Sequence, residues 1–142
     1  MLQVLIFVTL FLVNVQGQCP CEISYGLVTC ESGEISNFPD DFSINCPDID
    51  PLEIKGFDLQ GQLITEIVPH AFSSFPNLVS LAVGFNGIKE IHQDSFYGLG
   101  HLTGLYLQNN SISYIEDGAF DQLVSLKELD MSSNPLTSYT TR

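Results

Sequence analysis

The side chains that could do chemistry in this sequence are three histidines, scattered serines and a cluster of cysteines. His70, His92 and His101 lie apart, and none has a second histidine or a cysteine at the spacing of a metal-ligand pair. No serine stands in a G-x-S-x-G motif, and no glycine-rich phosphate loop occurs. We interpret the histidines as exposed loop residues, and we predict a protein that is not an enzyme and holds no cofactor.

The four cysteines, Cys19, Cys21, Cys30 and Cys46, all fall in the first third of the chain. They lack the paired C-x-x-C spacing of a zinc site and have no histidine near them, so disulfides are the better interpretation. A bridge from Cys19 to Cys21 would close a loop too small to be relaxed. Two pairings stay open: Cys19 with Cys30 and Cys21 with Cys46, or Cys19 with Cys46 and Cys21 with Cys30.

The charge of the chain is strongly acidic, with seventeen Asp and Glu against four Lys and Arg, a formal net charge of −13. Nucleic acid and anionic lipid surfaces would repel such a chain. The balance favours solubility, a basic partner or divalent cations. Residues 40–53 carry five acids and no base, without the ordered ligand spacing of a calcium loop, so whether calcium binds there stays open.

The first 17 residues have the pattern of a secretory signal peptide, with an apolar run from Val4 to Val13 and a small residue, Gly17, before the expected cleavage. The run is far shorter than the roughly 20 residues of a spanning helix. We expect the mature chain to be secreted and not to insert into a membrane.

A period of 24 residues runs through the rest of the chain. Each copy has three apolar columns, then one polar column, then further apolar columns. The first three columns are Ile54, Leu78, Leu102 and Leu126; Phe57, Leu81, Leu105 and Leu129; and Leu59, Val83, Leu107 and Met131. The polar column is Gln62, Asn86, Asn110 and Asn134. The later columns are Ile64, Ile88, Ile112 and Leu136; Ile67, Ile91, Ile115 and Tyr139; Phe72, Phe96 and Phe120; and Phe75, Leu99 and Leu123.

These columns predict a solenoid. A segment such as Leu105-Tyr106-Leu107 alternates apolar and polar residues, which is typical of a strand with one buried face. Strands 24 residues apart can only run parallel, about 4.8 Å from one another, so one sheet lines the concave side. The polar column lies where the chain leaves the strand, and its amides can satisfy backbone groups of adjacent copies that would otherwise be buried unpaired.

The repeated pattern L-x-x-L-x-L-x-x-N-x-I-x-x-I, followed by F-x-x-L, resembles the 24-residue extracellular type of leucine-rich repeat (LRR). The resemblance covers residues 52–142, as about three full repeats and a partial fourth. It implies an α/β solenoid of the LRR horseshoe type, with a short parallel sheet on the concave side and a mostly irregular or 3-10 convex side. No second cysteine cluster follows, so we expect no C-terminal cap and either a fragment of a longer LRR protein or an end that a partner or a second copy covers.

Residues 18–51 resemble the cysteine-rich N-terminal cap of the same family. The resemblance rests on the segment LVTC at 27–30, followed by Ile35, Phe38 and Pro39. It implies one disulfide pairing among the two left open, Cys19 with Cys30 and Cys21 with Cys46.

Binding is the function that remains, and the strand positions that point away from the core indicate where. They are Gly56, Asp58 and Gln60; Ser80, Ala82 and Gly84; Gly104, Tyr106 and Gln108; and Glu128, Asp130 and Ser132. We expect Tyr106 to stand out of a flat face, with Phe85 exposed beside it in a column otherwise filled by Gly61, Asn109 and Ser133. Exposed aromatics are typical interface anchors. We expect a protein partner with a basic surface to bind at Asp58, Phe85, Tyr106, Gln108 and Asp130.

Asn109-Asn110-Ser111 is the one N-x-S/T acceptor of the mature sequence, so we expect a glycan on Asn109. Two functions fit these features. The first is a secreted recognition protein of the adhesion, matrix or receptor type that binds through its concave face. The second is a non-catalytic subunit that stabilises a secreted enzyme or toxin.

Overall fold

The computed structural model of the protein describes residues 21–30 and 50–136. The predicted signal peptide, most of the acidic segment, Cys19, Cys46 and Tyr139 lie outside the described residues. Within the described part of the chain, no helix is long and apolar enough to cross a membrane.

Short strands dominate the described residues, and each repeat contributes one of them to a common sheet. In chain order they are β1 (Cys21–Ser24), β2 (Leu27–Cys30), β3 (Gly56–Asp58), β4 (Ser80–Ala82), β5 (Glu90–Ile91), β6 (Gly104–Tyr106), β7 (Tyr114–Ile115) and β8 (Glu128–Asp130). One sheet has the order β1-β2-β3-β4-β6-β8, and β5 and β7 form a separate parallel pair. The sheet therefore has two more strands than the repeats alone supply, both from the segment before them.

The four repeat strands pair in parallel at a constant offset of 24 residues. Phe57 lies opposite Leu81, Leu81 opposite Leu105, and Leu105 opposite Leu129. This register confirms the predicted solenoid with a parallel sheet. Between the strands, the described residues contain turns, the β5 and β7 pair and a 3-10 turn at Pro51–Glu53, but no α-helix. The return side of the solenoid is therefore mostly irregular, as expected.

The repeated apolar columns form the core. In the first three copies none of the nine residues of the opening columns is more than 1% exposed. Phenylalanines fill the space between the sheet and the return segments, with Phe57 edge-on to Phe75 at 4.8 Å and Phe96 stacked on Phe120 at 5.9 Å. In the fourth copy, Leu129 is 45% exposed, because no described residue stacks on its far side. Each copy is thus buried by its neighbours, as expected for a solenoid.

The asparagine column joins neighbouring repeats through both ends of each amide. Asn110 is buried, and its Oδ1 accepts the N–H of Ile88 at 3.1 Å. Its Nδ2 donates to the carbonyls of Val83 and Leu107, at 3.0 and 3.1 Å. Asn86 and Asn134 make the same three kinds of bond one repeat earlier and one later. Backbone groups that no strand pairs are therefore satisfied by one side chain per repeat.

Gln62 fills the asparagine position of the first repeat, and its extra methylene lets the amide reach the preceding strand β2. The side chain is buried, with Nε2 donating to the Cys30 carbonyl at 3.2 Å and to the Gln60 carbonyl at 3.4 Å. The neighbour on this side is the hairpin strand β2 and not another repeat. A longer amide therefore reaches the end of that strand.

Strands β1 and β2 form an antiparallel hairpin, and β2 then runs parallel to β3. Tyr25 and Gly26 make the turn with φ of 53° and 79°. Gly26 is required there, because a Cβ would lie 2.6 Å from the carbonyl oxygen of Glu53. The Gly26 carbonyl in turn accepts the N–H of Lys55 at 2.7 Å. The hairpin thus covers the first edge of the repeat sheet.

The disulfide pairing implied by the resemblance is wrong. Cys21 is bonded to Cys30, which excludes both the Cys19–Cys30 and the Cys21–Cys46 bridge. The reason is the hairpin register, which places Cys21 and Cys30 directly opposite each other with their Cα atoms 3.9 Å apart. Of the two pairings that the residues left open, the structure contains a bridge of the second.

We predict that peptide mapping of the unreduced protein recovers Cys21 joined to Cys30, because the hairpin holds the two residues opposite each other. Tandem mass spectra of the linked peptides locate each bridge. A peptide that joins Cys19 to Cys30 would contradict the hairpin register.

We predict that Asn110→Ala lowers the free energy of unfolding by about 1–3 kcal/mol, because it leaves the buried N–H of Ile88 without a partner. It also removes one of the two side-chain hydrogen bonds that the Val83 and Leu107 carbonyls each accept. Asn134→Ala should cost less, since the groups that it leaves are only partly buried. Urea denaturation of the two variants measures the difference. Equal losses of stability would show that the amide ladder, the stacked side-chain amides of Asn86, Asn110 and Asn134, does not stabilise the centre of the stack more than its end.

Candidate functional site

The concave face is formed by the residues on either side of each buried strand centre. Phe57, Leu81 and Leu105 point into the core, so their neighbours in each strand face outward. Asp58, Ala82, Tyr106 and Asp130 thereby form one row across the sheet, and Gly56, Ser80, Gly104 and Glu128 form a second. The hairpin extends this face, because Thr29 pairs with Asp58. Four of the five predicted binding residues, Asp58, Tyr106, Gln108 and Asp130, lie on it.

Tyr106 lies flat on the face and does not stand out from it, contrary to expectation. Its hydroxyl donates to Oε2 of Glu128 at 2.6 Å, on the next strand. A Cβ on Gly104 would lie 3.0 Å from that hydroxyl and 3.1 Å from Cε2 of the ring. The ring therefore runs along its own strand above Gly104 and leaves one surface half-exposed. The absence of a side chain at Gly104 permits this position.

The contact with Glu128 changes the acidity of the phenol. The hydrogen bond to Glu128 is the main cause that raises the pKa of Tyr106 above its ordinary value of 10.0, and burial and the carboxylate charge add to it. The pKa of Asp130 is lowered, because the carboxylate accepts hydrogen bonds from the backbone and side chain of Ser132. At neutral pH the centre of the face thus holds a neutral phenol beside two carboxylates.

Gln108 crosses the sheet above Gly84. Its Nε2 donates to Oε1 of Gln60 at 3.0 Å, two strands away. Gln60 in turn donates from Nε2 to Oδ1 of Asp58 at 3.1 Å, and its backbone N–H donates to the same oxygen at 3.2 Å. A Cβ on Gly84 would lie only 2.7 Å from Cδ of Gln108, so any larger residue there would displace the amide from this position. One series of side chains thereby connects the first repeat to the third, across the strand of the second.

The hydrogen bonds of the face end on acceptors. The phenol of Tyr106 is directed at Glu128, and the amides of Gln108 and Gln60 are directed toward Asp58. Oε1 of Gln108 is buried and accepts no hydrogen bond from the described residues. No Lys or Arg occupies an outward strand position in the described repeats. The charged groups of the face are therefore all carboxylates, and these are the acceptors that it presents to solvent.

Phe85 and Asn109 lie outside the strands, at the rim where the chain leaves them. They belong to a rim column, Gly61, Phe85, Asn109 and Ser133, in which every residue has a positive φ between 53° and 67°. The N–H of Phe85 donates to the Gln108 carbonyl and that of Asn109 to the Ser132 carbonyl, both at 2.9 Å. The structure thus separates Phe85 from the centre of the face and places it beside Asn109.

The histidines lie elsewhere. The ring of His70 meets that of Tyr97 edge-on at 4.5 Å. His92 lies between two carboxylates, 3.7 Å from Glu90 and 3.5 Å from Glu116. In the described ranges no group of three His, Cys, Asp or Glu side chains could hold a metal ion. A depression lined by apolar residues such as Ile64 and Phe72 leaves no room for a ligand.

Comparison with known proteins agrees with the repeat geometry. Residues 76–136 match the family model described as leucine rich repeat. The segment 76–136 therefore consists of leucine-rich repeats.

Similar LRR proteins include receptors much longer than this chain. Toll-like receptor 5 of Homo sapiens is 40% identical over 70 residues, which are 48% of this chain and 8% of the receptor. Leucine-rich repeat-containing G-protein coupled receptor 5 of Rattus norvegicus is 32% identical over 112 residues, 79% of this chain and 12% of that protein. The structure of the TLR13–ssRNA13 complex has a TM-score of 0.61 and 31% identity over 62% of this chain and 12% of the other. The chain spans about a tenth of each, so it shares their repeats and not their whole architecture.

Three residues that shape this face are absent from the binding residues predicted from the sequence. Gly84 and Gly104 make room for long side chains, and Gln60 receives the amide of Gln108. A usable signal exists in the sequence. Each long outward side chain, Tyr106 or Gln108, has a glycine at an adjacent outward position, either on its own strand or on the strand before it.

We predict that Glu128→Gln lowers the pKa of Tyr106, since it removes the carboxylate that favours the protonated phenol. Because the folded pKa is raised, the contact stabilises the fold below about pH 10 and is lost as the pH rises through the folded pKa. NMR titration of the tyrosine rings, with Tyr106→Phe to assign the signal, measures this value. Glu116→Gln is the control, and an equal pKa in both variants would contradict the contact.

Proposed function

We propose that this chain is a secreted LRR recognition protein that binds a basic protein surface through the centre of its concave face. The observation that carries the proposal is the set of carboxylates on that face, Asp58, Glu128 and Asp130, on two of which its side-chain hydrogen bonds end. Arginine and lysine side chains supply donors and positive charge together. A surface rich in these residues is therefore the complement of this one.

The face is preorganised for such a contact. Tyr106 and Gln108 are held flat by Glu128 and Gln60, so little side-chain freedom remains to be lost on binding. The half-exposed ring of Tyr106 is the one large apolar surface on the central strands, and guanidinium groups stack on aromatic rings. The floor beside it, Ser80 and Ala82, carries small side chains that let a partner approach the sheet. We therefore place the centre of the contact at Tyr106, with Asp58, Gln108 and Asp130 around it.

Secretion is part of the proposal. Residues 1–17 have the pattern of a signal peptide, and a disulfide such as Cys21–Cys30 persists in oxidising compartments. The similar proteins named as receptors support a recognition role in general. The absence of catalysis stays a prediction that rests on the missing motifs.

The acidic sequence predicts that nucleic acid is not a ligand of this protein. One similar structure is a complex with a single-stranded RNA, so the comparison gives that expectation no support. It rests on the formal net charge of −13 alone, which would repel phosphates. A single-stranded RNA therefore belongs among the ligands to be measured, beside basic and acidic peptides.

A second mode of contact has its own observation, the exposed edge of the sheet at β8. Leu129 is 45% exposed, whereas its equivalents in the three preceding repeats are buried. A partner could continue the stack there, as the hypothesis of a non-catalytic subunit in an enzyme or toxin complex requires. That subunit would run with its partner in size-exclusion chromatography of the native secreted material and not alone.

We predict that Tyr106→Ala weakens binding of the native partner about 30-fold, the effect of losing roughly 2 kcal/mol at an interface centre. Asp58→Asn and Asp130→Asn should weaken it less and reduce its dependence on salt, because they remove charge from the edges of the contact. The partner captured from native secreted fluid is purified, and its affinity is measured by titration calorimetry at two salt concentrations.

Tyr114→Ala is the matched control, an exposed tyrosine of β7 outside the concave sheet. Leu129→Asp tests the second mode of contact. Binding that survives Tyr106→Ala and is lost in a folded Leu129→Asp variant would move the interface from the concave face to the edge of the stack. Tighter binding of RNA than of a basic peptide would overturn the charge argument.

A further inference from the structure

Phe85 has a backbone conformation that is less favourable for a phenylalanine than for the glycine and the asparagine at the equivalent positions of the adjacent repeats. Its φ is 56°, in the left-handed region that glycine and asparagine adopt readily and that is an outlier for a bulky side chain. The rim column has Gly61 in the repeat before and Asn109 in the repeat after. The phenyl ring gains little from the protein in return, since the residue is 56% exposed. Strain at an exposed aromatic points to a contact with something outside the protein chain.

The next residue of the rim column is Asn109, which begins the acceptor motif Asn109-Asn110-Ser111. Phe85 and Asn109 have nearly the same φ, 56° and 53°, and they follow the adjacent parallel strands β4 and β6. Adjacent strands lie about 4.8 Å apart, so the two side chains project side by side from one rim. The two backbone segments are in direct contact, because the N–H of Phe85 donates at 2.9 Å to the carbonyl of Gln108, the residue before Asn109.

Asn109 and Asn110 differ in burial and in hydrogen bonding. Asn110 is buried, with both ends of its amide bonded in the ladder. Asn109 is exposed, and within the described residues its side-chain amide makes no hydrogen bond. Ser111 is exposed too. The amide nitrogen and the hydroxyl that an oligosaccharide transferase must reach are therefore both accessible, while the asparagine that the fold needs is not.

We propose that Asn109 carries an N-linked glycan whose first sugar packs on the ring of Phe85. In the transfer, Nδ2 of Asn109 forms a bond to the anomeric carbon of an oligosaccharide, and the bond from that carbon to a lipid-linked diphosphate breaks. The amide loses one proton and the diphosphate leaves. The proposal rests on passage through a secretory compartment, which is part of the proposed function, but not on the identity of the partner.

The chemistry of the first sugar fits the ring. In N-acetylglucosamine the hydroxyl groups are equatorial, so the two faces of the pyranose carry C–H groups and are apolar. Covering the exposed ring with such a face removes apolar area from water, and C–H contacts to the ring add to it. Because the sugar is attached directly to Asn109, it stays close to Phe85, and packing on the ring costs only the freedom of the few bonds that link them. The strained aromatic position thereby acquires a function.

One consequence concerns the concave face. A glycan on the rim column covers Phe85 and fills the space beside the carboxyl ends of β4 and β6. Phe85 then no longer serves as an anchor for a protein partner, although its sequence predicts one. The partner is restricted to the open centre around Tyr106 and to the opposite edge of the face.

The test uses the full chain secreted from a eukaryotic host. Mass spectrometry should find a glycan on Asn109 in the protein and none in Ser111→Ala, which removes the acceptor motif but keeps both asparagines. NMR of the glycoprotein should show upfield ring-current shifts of the first sugar's protons, and Phe85→Ala should abolish these shifts. Tyr25→Ala is the matched control, an exposed aromatic that also has a positive φ, 53°, but lies in the hairpin turn.

Thermal unfolding supplies a second readout. Ser111→Ala should lower the melting temperature by roughly 4 °C in the parent and in Tyr25→Ala, but not in Phe85→Ala, where the sugar has no ring to cover. An Asn109 without glycan, sugar protons at their unshifted positions, or an equal effect of Ser111→Ala in all three backgrounds would each overturn the proposal. The shifts in the parent protein decide the matter even where Phe85→Ala does not fold. Partner affinity is measured separately, so loss of binding leaves this result unaffected.

Discussion

The structure depends on one asparagine amide in each repeat. Where the chain leaves the parallel sheet, the strands no longer pair its backbone groups, and the core covers them. Asn86, Asn110 and Asn134 accept a backbone N–H from the repeat before and donate to carbonyls of both repeats. The offset between repeats must therefore be constant, since a shift of one residue would unpair every amide. The apolar columns fill the space that this register defines, and no repeat is stable without a neighbour.

The concave face follows from the same constraint. A constant register aligns equivalent outward positions across the strands, so a glycine creates a recess beneath a side chain of its own repeat or of the next. Gln108 lies in the recess at Gly84, and Tyr106 lies above Gly104. Their hydrogen bonds connect the third repeat to the first and to the fourth, and they end on carboxylates. Shape and charge of the proposed binding surface are therefore set by which repeats carry glycine and which carry long polar side chains.

Much of the fold could be predicted from the sequence, because the repeat period, the strand alternation and the amide column are each visible in a single chain. The disulfide could not, since the pairing of Cys21 with Cys30 depends on the register of a hairpin whose turn, Tyr25-Gly26, gives no periodic signal. Nor could the position of the Tyr106 ring, which depends on the missing Cβ of Gly104 and on a carboxylate one strand away. Outward positions are predictable as a set. Their mutual contacts depend on distances across strands.

The measurement that tests this account most directly is native-state hydrogen exchange of the three amides that donate to the ladder, those of Ile64, Ile88 and Ile112. If the amide ladder holds the repeats together, Ile88, at the centre of the stack, exchanges only when the whole solenoid unfolds, and its protection falls with denaturant at the slope of global unfolding. Ile112, whose partner Asn134 is only partly buried, should exchange sooner. An Ile88 amide that exchanges as fast as that of the exposed turn residue Ser74 would contradict the account.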